Sequence, residues 1–152
     1  MIEVELKVNN TAEIMAALEE KSEQILEYIG GMAEGYAKEL APVGKEETTG
    51  VKGYLGGSLR DSIRHEVEGD TVYIKAGGIP GVYRDVNYAV YVEFGTGIYA
   101  EGGDGRKTPW AYQDEDGGWH ITKGMEAQPY MRPAINDHLD EYINVIENEL
   151  GN

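Results

Sequence analysis

The chain has 152 residues, of which 28 are acidic and 13 basic, giving a net charge of −15, and it contains no cysteine. Those counts exclude disulfides, thiolate metal centres and cysteine nucleophiles, and they disfavour ordinary nucleic-acid binding, which needs clustered Lys and Arg on phosphates. Hydrophobic residues at 41 % and 11 tyrosines supply enough apolar surface for one folded domain over 1–152.

The acidity sits at the two ends: residues 1–50 and 101–152 each carry −7, and residues 51–100 carry −1. No run of 18 apolar residues exists, so no membrane-spanning helix is expected. The opening MIEVELKVNN lacks an apolar signal core, so export by that route is not expected.

Taken in chain order, Ile2, Val4, Leu6 and Val8 alternate with charged residues and predict a half-buried strand. Asn10 with Glu13 forms a capping-box variant ahead of a helix. Ile14, Leu18, Ile25, Ile29, Met32, Tyr36 and Leu40 form its apolar stripe, and Ala41-Pro42 stops it. A helix of roughly 30 residues is about 45 Å long. Gly30, Gly31 and Gly35 predict a kink or break within it, or a close approach by another backbone.

Residues 44–57 are glycine-rich and polar and read as a loop. Residues 62–68 and 71–76 read as a hairpin turning at Gly69-Asp70, with Val72 and Ile74 on one face. Residues 88–94 fit either a strand or a short helix. An irregular glycine-rich stretch covers 95–108, and a second hairpin pairs 110–113 with 119–122. Pro133 suits a first helical turn. Behind it Ile135, Leu139, Tyr142, Ile143, Ile146 and Leu150 form a stripe ending at Gly151. In that helix Ile135, Leu139, Ile143 and Ile146 are expected to face the core, and Asp137, Asp140, Asn144 and Glu147 to face outward. The fold class is therefore α+β: a small, mostly antiparallel sheet packed with a long N-terminal helix and a C-terminal helix.

Motifs for chemistry fail on context. Gly95 to Ala100 fits G-x-G-x-x-A, but Glu101-Gly102-Gly103-Asp104-Gly105 follows where a helix is required. Arg106 separates Gly105 from Lys107, so there is no P-loop. The acids before Gly117 and Gly118 do not fall at calcium-loop positions. His65, His120 and His138 are scattered without a paired metal motif. No catalytic residue, cofactor or metal ligand is assigned, and no enzymatic activity is expected.

Two readings remain for the polar and charged residues. Arg60 and Arg132 are fork-shaped donors near apolar segments, and Glu93 lies between Val92 and Phe94. They predict a structural lock in which Glu93 accepts hydrogen bonds from Arg60 or Arg132, joining the central sheet to the last helix. The loops 44–57 and 95–108, represented by Gly50, Tyr54, Gly97, Tyr99 and Arg106, cannot order by their own burial. They are expected to be mobile alone and to order against neighbouring subunits.

Four strings in order carry a resemblance: Gly57-Ser58-Leu59-Arg60-Asp61-Ser62-Ile63, Tyr88 to Thr96, Trp119 to Gly124, and Ala127-Gln128-Pro129-Tyr130-Met131-Arg132-Pro133-Ala134. Over residues 41–136 the chain resembles the small head–tail joining, or tail-completion, proteins of long-tailed bacteriophages. It departs from that pattern where the glycine-rich stretch 44–57 separates Ala41-Pro42-Val43 from Leu59-Arg60. The resemblance implies a minor virion component, assembled in the host cytoplasm, that forms a homo-oligomeric ring between portal or connector and tail proteins. In such a ring an acidic lumen repels phosphates and lets DNA pass without specific binding. A different class also fits the charge: an acidic intracellular binding or inhibitor module that mimics nucleic acid and occupies a basic partner.

Overall fold

The structure, a computed structural model, describes residues 11–45, 56–78, 88–113 and 117–151. The strand expected over residues 2–8, the Asn10 cap, Gly50 and Tyr54 lie outside the described residues.

The fold is α+β. Helix α1 (Thr11–Leu40) is followed by a short helix α2 (Ser58–Ser62) and an antiparallel hairpin of β1 (Arg64–Glu68) and β2 (Thr71–Lys75). Helix α3 (Ala89–Phe94) leads into a 3₁₀ turn at Gly97–Tyr99 and a second hairpin of β3 (Trp110–Gln113) and β4 (Trp119–Thr122). Helices α4 (Met131–Asn136) and α5 (Leu139–Leu150) end the described chain. The strands pair as two separate two-stranded sheets rather than as one.

Helix α1 is the spine, and it is continuous over 30 residues, so the expected break is absent. Gly31 and Gly35 face open space, where an added Cβ meets nothing within 4 Å. Gly30 has a different use. A Cβ there would lie 2.4 Å from Cδ2 of His65 and 3.2 Å from Cγ1 of Val72, so the glycine lets the first hairpin press against the helix.

In that notch His65 sits between two acids of α1. Its Nδ1 lies 2.5 Å from Glu34 Oε2 and its Nε2 3.0 Å from Glu27 Oε2, while its backbone N–H also donates to Glu34 Oε2 at 3.1 Å. Val72 and Ile74 face α1 as the alternation predicts, with Ile74 packed against both halves of the core.

The buried line along α1 is Ile25, Ile29, Ala33 and Ala37, continuing to Ala41 just past the helix end. Its steps of four select alanines in the C-terminal half, where the sequence stripe selects Met32, Tyr36 and Leu40. The small side chains let α2 and α4 approach, and Ala37 and Ala41 join Leu59, Ile63, Ala89, Val92, Tyr130 and Ala134 in one cluster. The second cluster packs Tyr142 of α5 onto Ile25, Ile29 and Ala33. Residues 12–20 of α1 are all exposed, including Ile14 and Leu18, so that end of the stripe lies outside the core.

The C-terminal stripe also differs from expectation. Asp137 and His138 separate α4 from α5, and Ile135, Leu139, Ile143 and Ile146 are exposed together with Asp137, Asp140, Asn144 and Glu147. Polar anchors set the rotation of α5. Tyr142 donates its hydroxyl to the Ala134 carbonyl at 2.6 Å, and His138 stacks on Tyr36 with ring centroids 3.5 Å apart. Tyr36 donates to Glu141 Oε2 at 2.5 Å, and this pushes the Tyr36 hydroxyl pKa up to about 12. These contacts turn Tyr142, with Val145, toward α1 and leave the aliphatic stripe to the side.

The three α1 glycines therefore separate by substitution. Gly31→Ala and Gly35→Ala should each raise stability by about 1 kcal/mol, the propensity difference in an exposed helix. Gly30→Ala should instead lower it by about 1–3 kcal/mol, because the pinned imidazole must move. Thermal denaturation of the three variants checks the ordering, and a stabilising Gly30→Ala would contradict the close packing.

Candidate functional site

Residues 88–94 resolve as helix. Ala89, Val92 and Glu93 fall at i, i+3 and i+4 and form the buried face of α3. Glu93 is 4 % exposed although it is charged. A carboxylate there needs a full set of donors, because desolvating an ion costs several kcal/mol.

The chain supplies them through a crossing just beyond the helix. The Gly95 N–H closes on the Tyr91 carbonyl at 2.8 Å, and its φ of +76° is one that glycine adopts without strain. Thr96 N–H then donates to the Met125 carbonyl at 2.9 Å and Ile98 N–H to the Lys123 carbonyl at 3.0 Å. Met125 N–H returns a bond to Thr96 Oγ1 at 2.8 Å. Gly97 and Gly124 are where the two segments touch: a Cβ on Gly97 would lie 2.0 Å from the Lys123 oxygen, and one on Gly124 2.1 Å from the Thr96 oxygen. Gln128 N–H bonds the Val92 carbonyl at 2.8 Å and leads residues 130–132 up to Glu93.

There Glu93 caps α4. Tyr130 and Met131 N–H groups donate to Oε2 at 2.8 and 2.9 Å, and Arg132 N–H donates to Oε1 at 3.1 Å. Pro133 has no N–H, so the first four backbone positions of the helix leave no donor unpaired. Arg132 closes the site with its side chain: Nε donates to Glu93 Oε1 at 2.8 Å and one terminal nitrogen to the Glu93 carbonyl at 3.0 Å. The same guanidinium forks onto Glu101 at 2.7 and 3.1 Å and lies over the Phe94 ring at 4.7 Å. Burial pushes the Glu93 carboxyl pKa up, but the Met131 N–H, the guanidinium and the other two N–H groups hold it below its ordinary 4.5. With every oxygen engaged, this carboxylate joins elements rather than meeting a solute.

Of the expected lock, the structure brings Glu93 and Arg132 together and leaves Arg60 out. Arg60 is exposed on α2, its Nε 3.8 Å from Asp61, while the buried residues of α2 are Leu59 and Ser62. Ser62 is the polar anchor of that helix, donating to the Leu59 carbonyl at 2.7 Å and accepting the Gly77 N–H at 2.8 Å. The lock also joins two helices, α3 and α4, rather than a sheet and a helix. Glu101 and Phe94 complete it, although no local pattern marks them.

Among the expected assembly positions, Gly97 and Arg106 line one groove of about 530 Å³, together with Val90, Tyr91, Phe94 and Ala100. Tyr99 is half exposed, and Arg106 lies over Trp110 at 5.6 Å with its Nε 3.3 Å from Thr108 Oγ1. The first part of the 95–108 stretch is therefore tied down by the Gly97–Gly124 crossing and by Glu101 N–H on the Phe94 carbonyl at 3.0 Å, which corrects its reading as a wholly irregular loop. The three histidines lie apart: His65 against α1, His138 on Tyr36, and His120 stacked on Tyr112. Comparison with known protein families, with curated proteins and with solved structures returns no match.

Two sets of measurements follow. Glu93→Gln places an NH₂ among donors and should cost about 2–4 kcal/mol. Arg132→Ala should cost less, about 1–2 kcal/mol, because three backbone N–H groups still hold the carboxylate; the sequence alone suggests a larger loss from an unpaired charge. Urea midpoints that reverse this order would show the ion pair, not the cap, to dominate.

The pH dependence has two limbs. Glu93 has a lowered pKa, so its contribution is present above pH 4.5 and is lost as pH falls through the depressed value. Glu93→Gln should flatten that acid limb. For His65, burial opposes the charge, but the hydrogen bonds to Glu34 and Glu27 raise its pKa above 6.5. Its contribution is full below pH 6.5 and is lost as pH rises through the raised value, so His65→Gln should flatten the loss on that side. Denaturation midpoints measured from pH 3 to pH 9 separate the two limbs.

Proposed function

We propose that this chain is a structural virion-assembly protein of a long-tailed bacteriophage or prophage, forming or completing the head–tail junction as a homo-oligomeric ring. One observation carries the reading: three of the four strings behind the resemblance converge on one joint. Leu59 and Ile63, Ala89 and Val92, and Tyr130 and Ala134 share a cluster, and Glu93 caps the string that opens α4. Their residues pack, turn and cap, so their order along the chain is explained by folding, as suits a part whose role is to be assembled. In this reading portal or connector proteins lie on one side and tail proteins on the other, and the acidic surface lets DNA pass unbound.

Deleting the gene from its phage or prophage tests the reading. Packaged heads and finished tails should accumulate separately, and adding the purified protein should join them and restore infectivity. Mass spectrometry of purified particles should find the chain in the virion. Joined, infectious particles without the protein would overturn the reading. So would its absence from virions together with tight binding to one basic host protein, which would assign the inhibitor role instead.

A further inference from the structure

Helix α5 presents an apolar stripe that the described fold leaves uncovered. Leu139, Ile143, Ile146 and Leu150 recur at steps of four, three and four, which lines them along one face, and each is between 37 % and 51 % exposed. The stripe is not free to roll inward. Tyr142 is buried and hydrogen-bonded to Ala134, His138 is stacked on Tyr36, and Tyr36 holds Glu141, so three anchors along the helix start fix its rotation.

Helix α5 itself borders the stripe with acids and with neither Lys nor Arg: Asp140 and Glu147 lie on one flank and Glu149 on the other. Glu141 is turned away to Tyr36 and His138, and the one described cation near this border is Lys21 of α1, which shares a groove with Glu149. A second copy laid on this face brings the same acids within a chain of net charge −15, and like charges placed opposite each other oppose docking. A ridge of apolar side chains with basic flanks satisfies both the stripe and its border.

We propose that this face is a docking site for an amphipathic helix of another protein, whose apolar ridge is flanked by Lys or Arg. The four anchors span about 16 Å, so the partner helix needs about three turns to cover them. The apolar contacts supply affinity, and the acidic border selects partner and orientation. The inference stands on α5 alone and does not depend on the head–tail role.

Fluorescence polarisation with the full chain and three labelled 18-residue peptides tests it. One peptide carries a Leu ridge at these steps with Lys flanks, one the same ridge with Glu flanks, and one a scramble of the Lys peptide. The Lys-flanked helix should bind at least tenfold more tightly than either of the others. Ile143→Asp should weaken it at least tenfold, although the added negative charge would strengthen a purely electrostatic association. Glu147→Lys leaves the stripe intact and should narrow the preference for Lys over Glu flanks severalfold, with circular dichroism confirming that both variants fold. Equal binding of the three peptides, or unchanged binding in Ile143→Asp, would overturn the proposal. A chain dimer in sedimentation that Ile143→Asp abolishes would also overturn it, by placing a second copy on the stripe.

Discussion

The described fold depends on a buried charge held by the chain's own donors. Glu93 lies inside the α3–α4 contact, and its two oxygens collect the N–H groups of Tyr130, Met131 and Arg132 and the Arg132 Nε. A six-residue helix such as α4 is far too short to form by propensity alone. The carboxylate supplies the N-terminal partners that α4 cannot provide for itself, and Ala134 packs at the centre of the core immediately behind the cap. Removing an acceptor there orphans several buried donors at once, which is why such a site is more costly to break than its single ion pair suggests. The crossing of Gly97 under Gly124 belongs to the same device, since it carries the chain back to the position where residues 130–132 meet Glu93.

Helix α1 transmits this local order to the rest of the molecule. Its alanines admit α2 and α4 at close range, and one turn before them Ile25 and Ile29 take Tyr142 of α5. Gly30 performs the same service for a side chain by accepting the imidazole of His65 between Glu27 and Glu34. The acid excess is thus partly structural: Glu27, Glu34 and Glu141 each hold another element in place through a hydrogen bond. Their positions along α1 and α5 set how the first hairpin and the last helix are oriented.

Periodicity made the element list legible. Both hairpins, the long helix and the C-terminal helical region fall where alternation and i+4 spacing put them, but the break at Asp137-His138 that divides the last region into α4 and α5 has no signal in the stripe. What periodicity ranks by size it ranks wrongly here. The core side of α1 is chosen by close approach, so Ala33, Ala37 and Ala41 outrank Tyr36 and Leu40. The same holds for α5, whose larger aliphatic stripe yields to Tyr142 because a hydroxyl, a ring stack and a carboxylate set the rotation. Glu93 could be singled out because an acid between Val92 and Phe94 has no comfortable place. Arg132 and Arg60 were equivalent by type, and only the path of residues 123–132 decides between them.

The consequence is a separation between where charge and where apolar surface act. The interior is closed by alanines, by aliphatic side chains such as Ile25, Ile29, Leu59 and Ile63, by two tyrosines and by one capped carboxylate. Large apolar side chains are left exposed both beside that joint, at Val90, Tyr91 and Phe94 of α3, and away from it: Ile14 and Leu18 on the first turns of α1, Trp119 and Ile121 on the second hairpin at 71 % and 80 % exposure, and the stripe of α5. A chain of this charge tolerates such surface, because repulsion between copies opposes the nonspecific association that apolar patches promote. The acids therefore work in two directions. Inside, they are paired and fix the elements relative to one another. Outside, on α5, they favour a partner that brings compensating charge, so the same composition that disfavours phosphate binding makes selective docking physically consistent.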